Sequence, residues 1–263
     1  MPQSSSKSRK RIVWERLVRG FAGVFFAAIC FATSCFTGAA PASFGQSTGA
    51  PVTAAARTIV IGFVGGFVRH DDTVHSVVQV AASLGHDFPT GVQIEVLENR
   101  HRDTAYTDIV HFADTNHDGQ LSPEEKKNAR IVIYGHSWGA SETVTLARQL
   151  EREGIPVLLT VQVDSVAKHG ENDRIIPTNV AEAVNFYQLD GLLHGERRIR
   201  AADPTRTHII GNFRFGYKAN SIRCDAYPWW TRLVMKSHIE IECDPKVWGQ
   251  VESLVRSRLA VQQ

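Results

Sequence analysis

Pro156 leads into Val157-Leu158-Leu159-Thr160-Val161-Gln162-Val163, a nearly continuous apolar run. A run of that length and make-up suits a strand buried on both faces, and strands of that kind belong to parallel sheets covered by helices. Residues 58–63 and 130–134 repeat the pattern, and 92–97 alternates like a strand. Apolar residues at helical spacing fill the intervals at about 71–84, 102–113 and 138–152. A further helix is predicted through 178–187, a strand over 207–212, and a last helix to about 259 with Asp244 as N-cap and Pro245 at its first position. The alternation predicts an α/β fold: a mostly parallel sheet of about five or six strands with helices on both faces. Functional residues then belong at the carboxyl ends of the strands.

The chain divides unevenly. Residues 1–42 carry six Lys/Arg and one acid, followed within the segment by an apolar run over 21–32 and by Ala40-Pro41-Ala42, an A-x-A cleavage pattern. The run is shorter than the about 20 residues of a membrane span. The segment therefore predicts a signal peptide, with an uncleaved membrane anchor as the alternative. Residues 43–57, rich in Ser, Thr, Gly, Ala and Pro, form a flexible lead-in. Residues 58–263 are left as one domain, long enough for a real core. The whole chain is +2. Without the N-terminal +5 it is −3, which argues against a nucleic-acid partner. The expected location is exported, periplasmic or secreted. Cys224 and Cys243 remain as a pair and predict one disulfide in that oxidising setting, against two buried thiols.

Gly135-His136-Ser137-Trp138-Gly139 follows the strand 130–134 and opens the helix 138–152. A G-x-S-x-G sequence in that context makes a sharp turn that lifts the serine hydroxyl above the sheet edge. Ser137 is the candidate nucleophile; the plain alternative is a tight turn. Of the later histidines, His208 sits within a strand, His194 and His169 offer loop positions, and His238 lies ahead of the last helix. Asp164, directly after the strand 157–163, is the best-placed acid, with Asp203 and Asp225 as alternates and a turn cap as its ordinary role. Tyr227-Pro228-Trp229-Trp230 either lines a substrate pocket or packs beneath the last helix.

The motif, the glycine-rich turn Gly62-Phe63-Val64-Gly65-Gly66, and an acid and a histidine in order together resemble the α/β-hydrolase superfamily, notably its lipase and esterase branches, over roughly 58–259. The resemblance implies acyl transfer to water with Ser137, His238 and Asp164 as the triad. It implies oxyanion donors from the backbone of Trp138 and of Phe63 or Val64. The expected substrate is a small-molecule or lipid ester, acted on by a monomer, with membrane contact only through the N-terminal segment.

Asp114-Thr115-Asn116-His117-Asp118-Gly119-Gln120-Leu121-Ser122-Pro123-Glu124-Glu125 fits D-x-[DN]-x-[DN]-G-x₅-E throughout and resembles an EF-hand calcium loop. Ligands for a structural Ca²⁺ would be Asp114, Asn116, Asp118, the Gln120 carbonyl and Glu125, with Ser122 direct or through water. Ser122 to Glu125 is also a capping box. The rival to a serine hydrolase is a non-catalytic secreted calcium-binding domain on the same fold.

Overall fold

The computed structural model describes residues 58–259. The predicted signal peptide and lead-in lie outside them. The chain runs β1 (Thr58–Val64), α1 (Ser76–Asp87), β2 (Val92–Glu98), α2 (Arg102–Ala113), α3 (Pro123–Asn128), β3 (Arg130–His136), α4 (Trp138–Arg152) and β4 (Val157–Val163). It continues through β5 (Ile175–Ile176), β6 (Val180–Gln188), β7 (Arg200–Ala201), β8 (His208–Phe215), α5 (Trp229–Val234), α6 (Lys236–Cys243) and α7 (Pro245–Leu259).

Six strands form one parallel sheet in the order β2-β1-β3-β4-β6-β8. The strand period of two divides its side chains between two apolar layers. Ile59, Ile61, Phe63, Ile131 and Ile133 face α2 and α4. Val60, Val64, Val132, Tyr134, Val161 and Val163 face α1 and α7. Burying each of the larger side chains contributes about 1.5–3 kcal/mol. β1, β3 and β4, with neighbours on both sides, are the apolar runs of the sequence. The edge strands β2 and β8 are only partly covered and carry polar residues such as Gln93, Glu95 and Arg214.

One element departs from expectation. Residues 178–187 were predicted as helix, but Val180–Gln188 is a nine-residue strand paired with both β4 and β8. Ala181, Glu182 and Ala183 favour helix locally. Two flanking strands and burial of Val184, Asn185 and Phe186 override that preference.

The chain turns left from β1 to β2, then crosses to the other side of β1 for β3. The crevice at such a reversal, outside the strand carboxyl ends, is where α/β sheets place their sites. Two glycines close it. A Cβ on Gly135 would fall 2.5 Å from the Gly139 carbonyl oxygen, and one on Gly139 would collide with the Phe63 carbonyl. The first turn of α4 therefore lies directly on the end of β1. Cys224 and Cys243 are joined, with Cα atoms 5.9 Å apart, tying the chain after β8 to the end of α6. Closing a loop of this size is worth about 3 kcal/mol on the chain-entropy account.

Gly139→Ala is expected to destabilise by about 3 kcal/mol, the upper range for overpacking, because backbone must move. Gly249→Ala, whose Cβ meets nothing within 4 Å on α7, is expected to leave stability unchanged or to raise it slightly. Urea unfolding of the two variants checks this. Equal midpoints would count against the contact between α4 and β1.

Candidate active site

Ser137 occupies the junction of β3 and α4 with φ 57° and ψ −123°, outside the regions open to most side chains. The junction is held from several sides. The Ser137 amide donates to the Val163 carbonyl at 3.0 Å, and the Ser137 carbonyl accepts from Ala140, Ser141 and Val166. The strained turn leaves the side chain at the sheet edge, almost buried.

His238 Nε2 lies 2.9 Å from Ser137 Oγ, and His238 Nδ1 lies 2.7 Å from Asp164 Oδ2. With Nδ1 donating to the carboxylate, Nε2 is left to accept the serine proton. The geometry can take a proton from a hydroxyl and stabilise the resulting imidazolium. His238 lies ahead of the last helix, as its sequence context predicts. It lies in the first turn of α6, a helix hidden in a stretch without regular apolar spacing.

Asp164 is fully buried and has φ 45°. Beyond the imidazole it accepts from Gly195 N at 2.7 Å, Gln188 Nε2 at 2.8 Å and Gln188 N at 3.2 Å. A Cβ on Gly195 would collide with the Asp164 backbone. Sequence reasoning misses Gln188 and Gly195, because a helix over 178–187 leaves Gln188 without a place at a strand end. The other histidines and acids weighed are elsewhere. His208 is exposed and nearest Glu182, His194 contacts only its neighbour's carbonyl, Asp203 caps a turn at Thr205, and Asp225 pairs with Arg223 and Arg232.

Trp138 begins α4, so its amide stands at the helix N-terminus beside the hydroxyl. Phe63 and Val64 end β1. Gly65, in this turn, lies close to the hydroxyl-bearing carbon: a Cβ there would fall 2.9 Å from Ser137 Cβ. Asn99, from the end of β2, fixes the turn by donating to the carbonyls of Val64 and Gly66 at 3.2 and 2.6 Å. Phe67 stacks edge-on against Trp138 at 5.7 Å.

A second layer of charge lies behind the imidazole. His136 is buried with its ring 4.6 Å from that of His238. Its Nδ1 is 3.3 Å from Glu242 Oε2, and its Nε2 is buried without a partner. Glu242 Oε1 is 2.5 Å from His75 Nδ1, and the Tyr227 hydroxyl lies 3.3 Å from the same nitrogen. Burial alone would raise the Glu242 carboxyl, but the adjacent His136 and His75 hold it down at about 2. Burial pushes the His136 imidazole down to about 4. Burial also lowers His75, but its bond to Glu242 outweighs this and leaves it raised. Glu242 is therefore a buried anion between His136, whose charged form burial disfavours, and His75, whose charged form the bond to Glu242 favours. One signal for it was present: it follows His238 by four residues, one helical turn.

Trp229 and Trp230 neither line a closed pocket nor pack in the core. They are 68% and 57% exposed on α5.

In the loop 114–125, Gly119 N donates to Asp114 Oδ2, Asp118 N to Asn116 Oδ1, and Gln120 N to Asp118 Oδ1. His117 and Gly119 take positive φ. Asp114 is buried, and its Oδ1 has no partner. These features fit an ion-binding turn. Glu125 fits less well: Oε1 accepts from Thr115 and Asn116, and Oε2 from Ser122, completing the capping box. The Thr115 hydroxyl and the backbone amides hold its carboxyl at about 2. Among the described residues no three His, Cys, Asp or Glu side chains are gathered as a metal-binding group.

No family model matches the chain, and no curated protein does. Among solved structures, a cutinase-like protein from Cryptococcus sp. is 13% identical with a TM-score of 0.37, over 79% of this chain and 97% of its own. Human thioesterase 2 is 12% identical at 0.39, over 79% and 98%. An uncharacterized protein from Pseudomonas aeruginosa is 13% identical at 0.40, and the match spans 61% of this chain and 40% of that one. Likenesses this low carry no functional argument; the geometry of the site does.

The buried imidazole has a consequence for stability. Below its unfolded value of 6.5, an unfolded His136 takes up a proton that the folded side chain refuses until about 4. Stability therefore falls as pH drops through that window, by roughly 3 kcal/mol in all. Glu242 acts at lower pH. Its contribution is complete above 4.5 and is lost as pH falls towards about 2. His136→Asn is expected to flatten the decline in Tm between pH 6.5 and 4. Identical slopes in the variant and the wild type would exclude a neutral imidazole at this site.

Proposed function

We propose that the chain is an exported serine hydrolase that cleaves a carboxylic ester. One observation carries the proposal: the hydroxyl–imidazole–carboxylate chain at 2.9 and 2.7 Å on a strained strand-to-helix turn. Ser137 Oγ adds to the ester carbonyl carbon while His238 Nε2 takes its proton, and Asp164 stabilises the imidazolium. The carbonyl oxygen becomes an oxyanion facing the Trp138 amide and the backbone of the turn after β1, from Phe63, Val64 or Gly65. The carbon–oxygen bond to the alcohol breaks, and His238 returns the proton to the leaving alkoxide. Water then adds to the acyl-enzyme by the same route in reverse and releases the acid with the free serine.

Wild type is expected to react with a fluorophosphonate probe and to hydrolyse p-nitrophenyl esters, with both lost in Ser137→Ala. Asp164→Asn is expected to lower kcat by about 10⁴-fold, because the imidazole loses the partner that fixes its tautomer. Folded wild type that takes no label favours the non-catalytic binding domain.

The loop 114–125 is proposed to hold a structural Ca²⁺ through Asp114, Asn116, Asp118, the Gln120 carbonyl and Glu125. The unpartnered, buried Asp114 Oδ1 supports this. Glu125 would have to leave its capping contacts to bind. At a hundredfold excess of ion over Kd, binding adds about 2.7 kcal/mol. EDTA is then expected to lower Tm by roughly 5–10 °C, and Asp114→Asn to remove that sensitivity. A Tm indifferent to EDTA would rule the ion out.

A further inference from the structure

The chain between Phe213 and Ser237 differs in charge from the rest of the domain. It holds Arg214, Lys218, Arg223, Arg232 and Lys236 against one acid, Asp225, a net +4 within a region, 43–263, that is −3 as a whole. The same stretch contains α5, a helix with no buried residue. Trp229, Trp230, Leu233 and Val234 are exposed on it, Leu233 and Val234 by 74% and 72%. Soluble proteins rarely leave four large apolar side chains together in water.

The two features share one place. Arg223, Arg232 and Lys236 line a single open groove with Trp229 and Leu233, and two acids, Asp225 and Glu240, line it as well, so the cations exceed the acids there by one. Ion pairs from Asp225 to Arg223 and Arg232 fasten the 223–225 segment to α5, and the disulfide fastens it to α6. Glu240 Oε1 accepts from Ser221 Oγ and Ile222 N and lies 3.9 Å from Lys236 Nζ, while its buried Oε2 has no hydrogen-bond partner. Leu192 and Phe67, fully and 86% exposed, stand in loops at the same carboxyl edge of the sheet. Tryptophan side chains beside basic groups suit the boundary of a lipid layer. There the indoles lie at headgroup depth and the cations meet anionic phosphates.

We propose that α5 and the groove beside it form a docking surface for an anionic phospholipid membrane. Trp229, Trp230, Leu233 and Val234 enter the interface, and Arg223, Arg232 and Lys236 hold the headgroups. Among the described residues no helix is long and apolar enough to cross a membrane, so this contact lies on the surface and does not span. α5 ends two residues before α6, the helix that carries His238, so docking turns the catalytic edge of the sheet towards the lipid. The proposal does not depend on hydrolysis and stands or falls by binding alone.

The test uses the full chain and phosphatidylcholine vesicles containing phosphatidylglycerol with bromine on its acyl chain, which quenches tryptophan on contact. Wild type is expected to lose part of its emission. Trp229→Phe/Trp230→Phe is expected to keep vesicle binding and Tm while losing that quenched part. Arg223→Ala and Lys236→Ala are each expected to weaken vesicle binding about fivefold. Equal quenching in wild type and the double variant would assign any lipid contact to another part of the chain and overturn the proposal. So would quenching that is as strong with brominated phosphatidylcholine alone. Self-association that disappears in Leu233→Ser, without quenching in wild type, would make the patch a contact between copies and overturn it as well.

Discussion

The carboxylate of Asp164 is the point through which the site is assembled. It is fully buried, a condition that is costly for a carboxylate unless its oxygens find hydrogen-bond partners. Its partners come from separate parts of the chain: the end of β6 through Gln188, the following loop through Gly195, and α6 through His238. No two of these are neighbours in sequence, so satisfying one buried carboxylate forces three segments to meet at the end of β4. The serine turn is tied to the same place, because the Ser137 amide bonds the last carbonyl of β4. Stability and site geometry thus depend on the same set of bonds.

Glu242 is handled differently. Asp164 is balanced mainly by neutral donors and one imidazole, whereas Glu242 is placed between two imidazoles with a phenol beside them. The neutral His136 ring fills the space between Glu242 and His238, keeping the second anion near the base without a direct bond. A proton arriving on His238 therefore enters a region of negative potential from two sides. His136 stays uncharged through burial, so it does not cancel that field.

The strands that are covered on both sides were legible because their composition leaves no other place for them. Thr58–Val64, Arg130–His136 and Val157–Val163 are buried on both faces and largely apolar, and the glycines at 135 and 139 mark the close approach that bends the chain between strand and helix. Asp164 was legible as a strand-end carboxylate, and His238 from its order after it. Val180–Gln188 was not legible as a strand. Its Ala-Glu-Ala opening favours helix, and only pairing to β4 and β8 decides otherwise. With β6 misread, Gln188 could not be placed, nor the loop that brings Gly195 to the carboxylate. The pairing of Glu242 with His75 is not legible for a different reason: they are 167 residues apart, and nothing local in either sequence reports the other. The tryptophans at 229 and 230 carry no periodicity that separates core from surface in a six-residue helix.

The segment from Phe213 to Ser237 is where the sheet stops dictating the chain. β8 is an edge strand, so the residues after it have a neighbour on one side only, and α5 buries nothing. This segment is held by the bridge between Cys224 and Cys243, the Asp225 ion pairs, the bonds from Ser221 and Ile222 to Glu240, and the buried Tyr217 and Tyr227, which bond Asp190, Asp244 and His75. These attach it from beneath, and none lies on the outward face of α5. A surface anchored from beneath and free above can vary in composition without disturbing the base two residues inside α6. That freedom explains how four large apolar side chains and a local excess of cations coexist with a fully satisfied, buried site a short distance along the same chain.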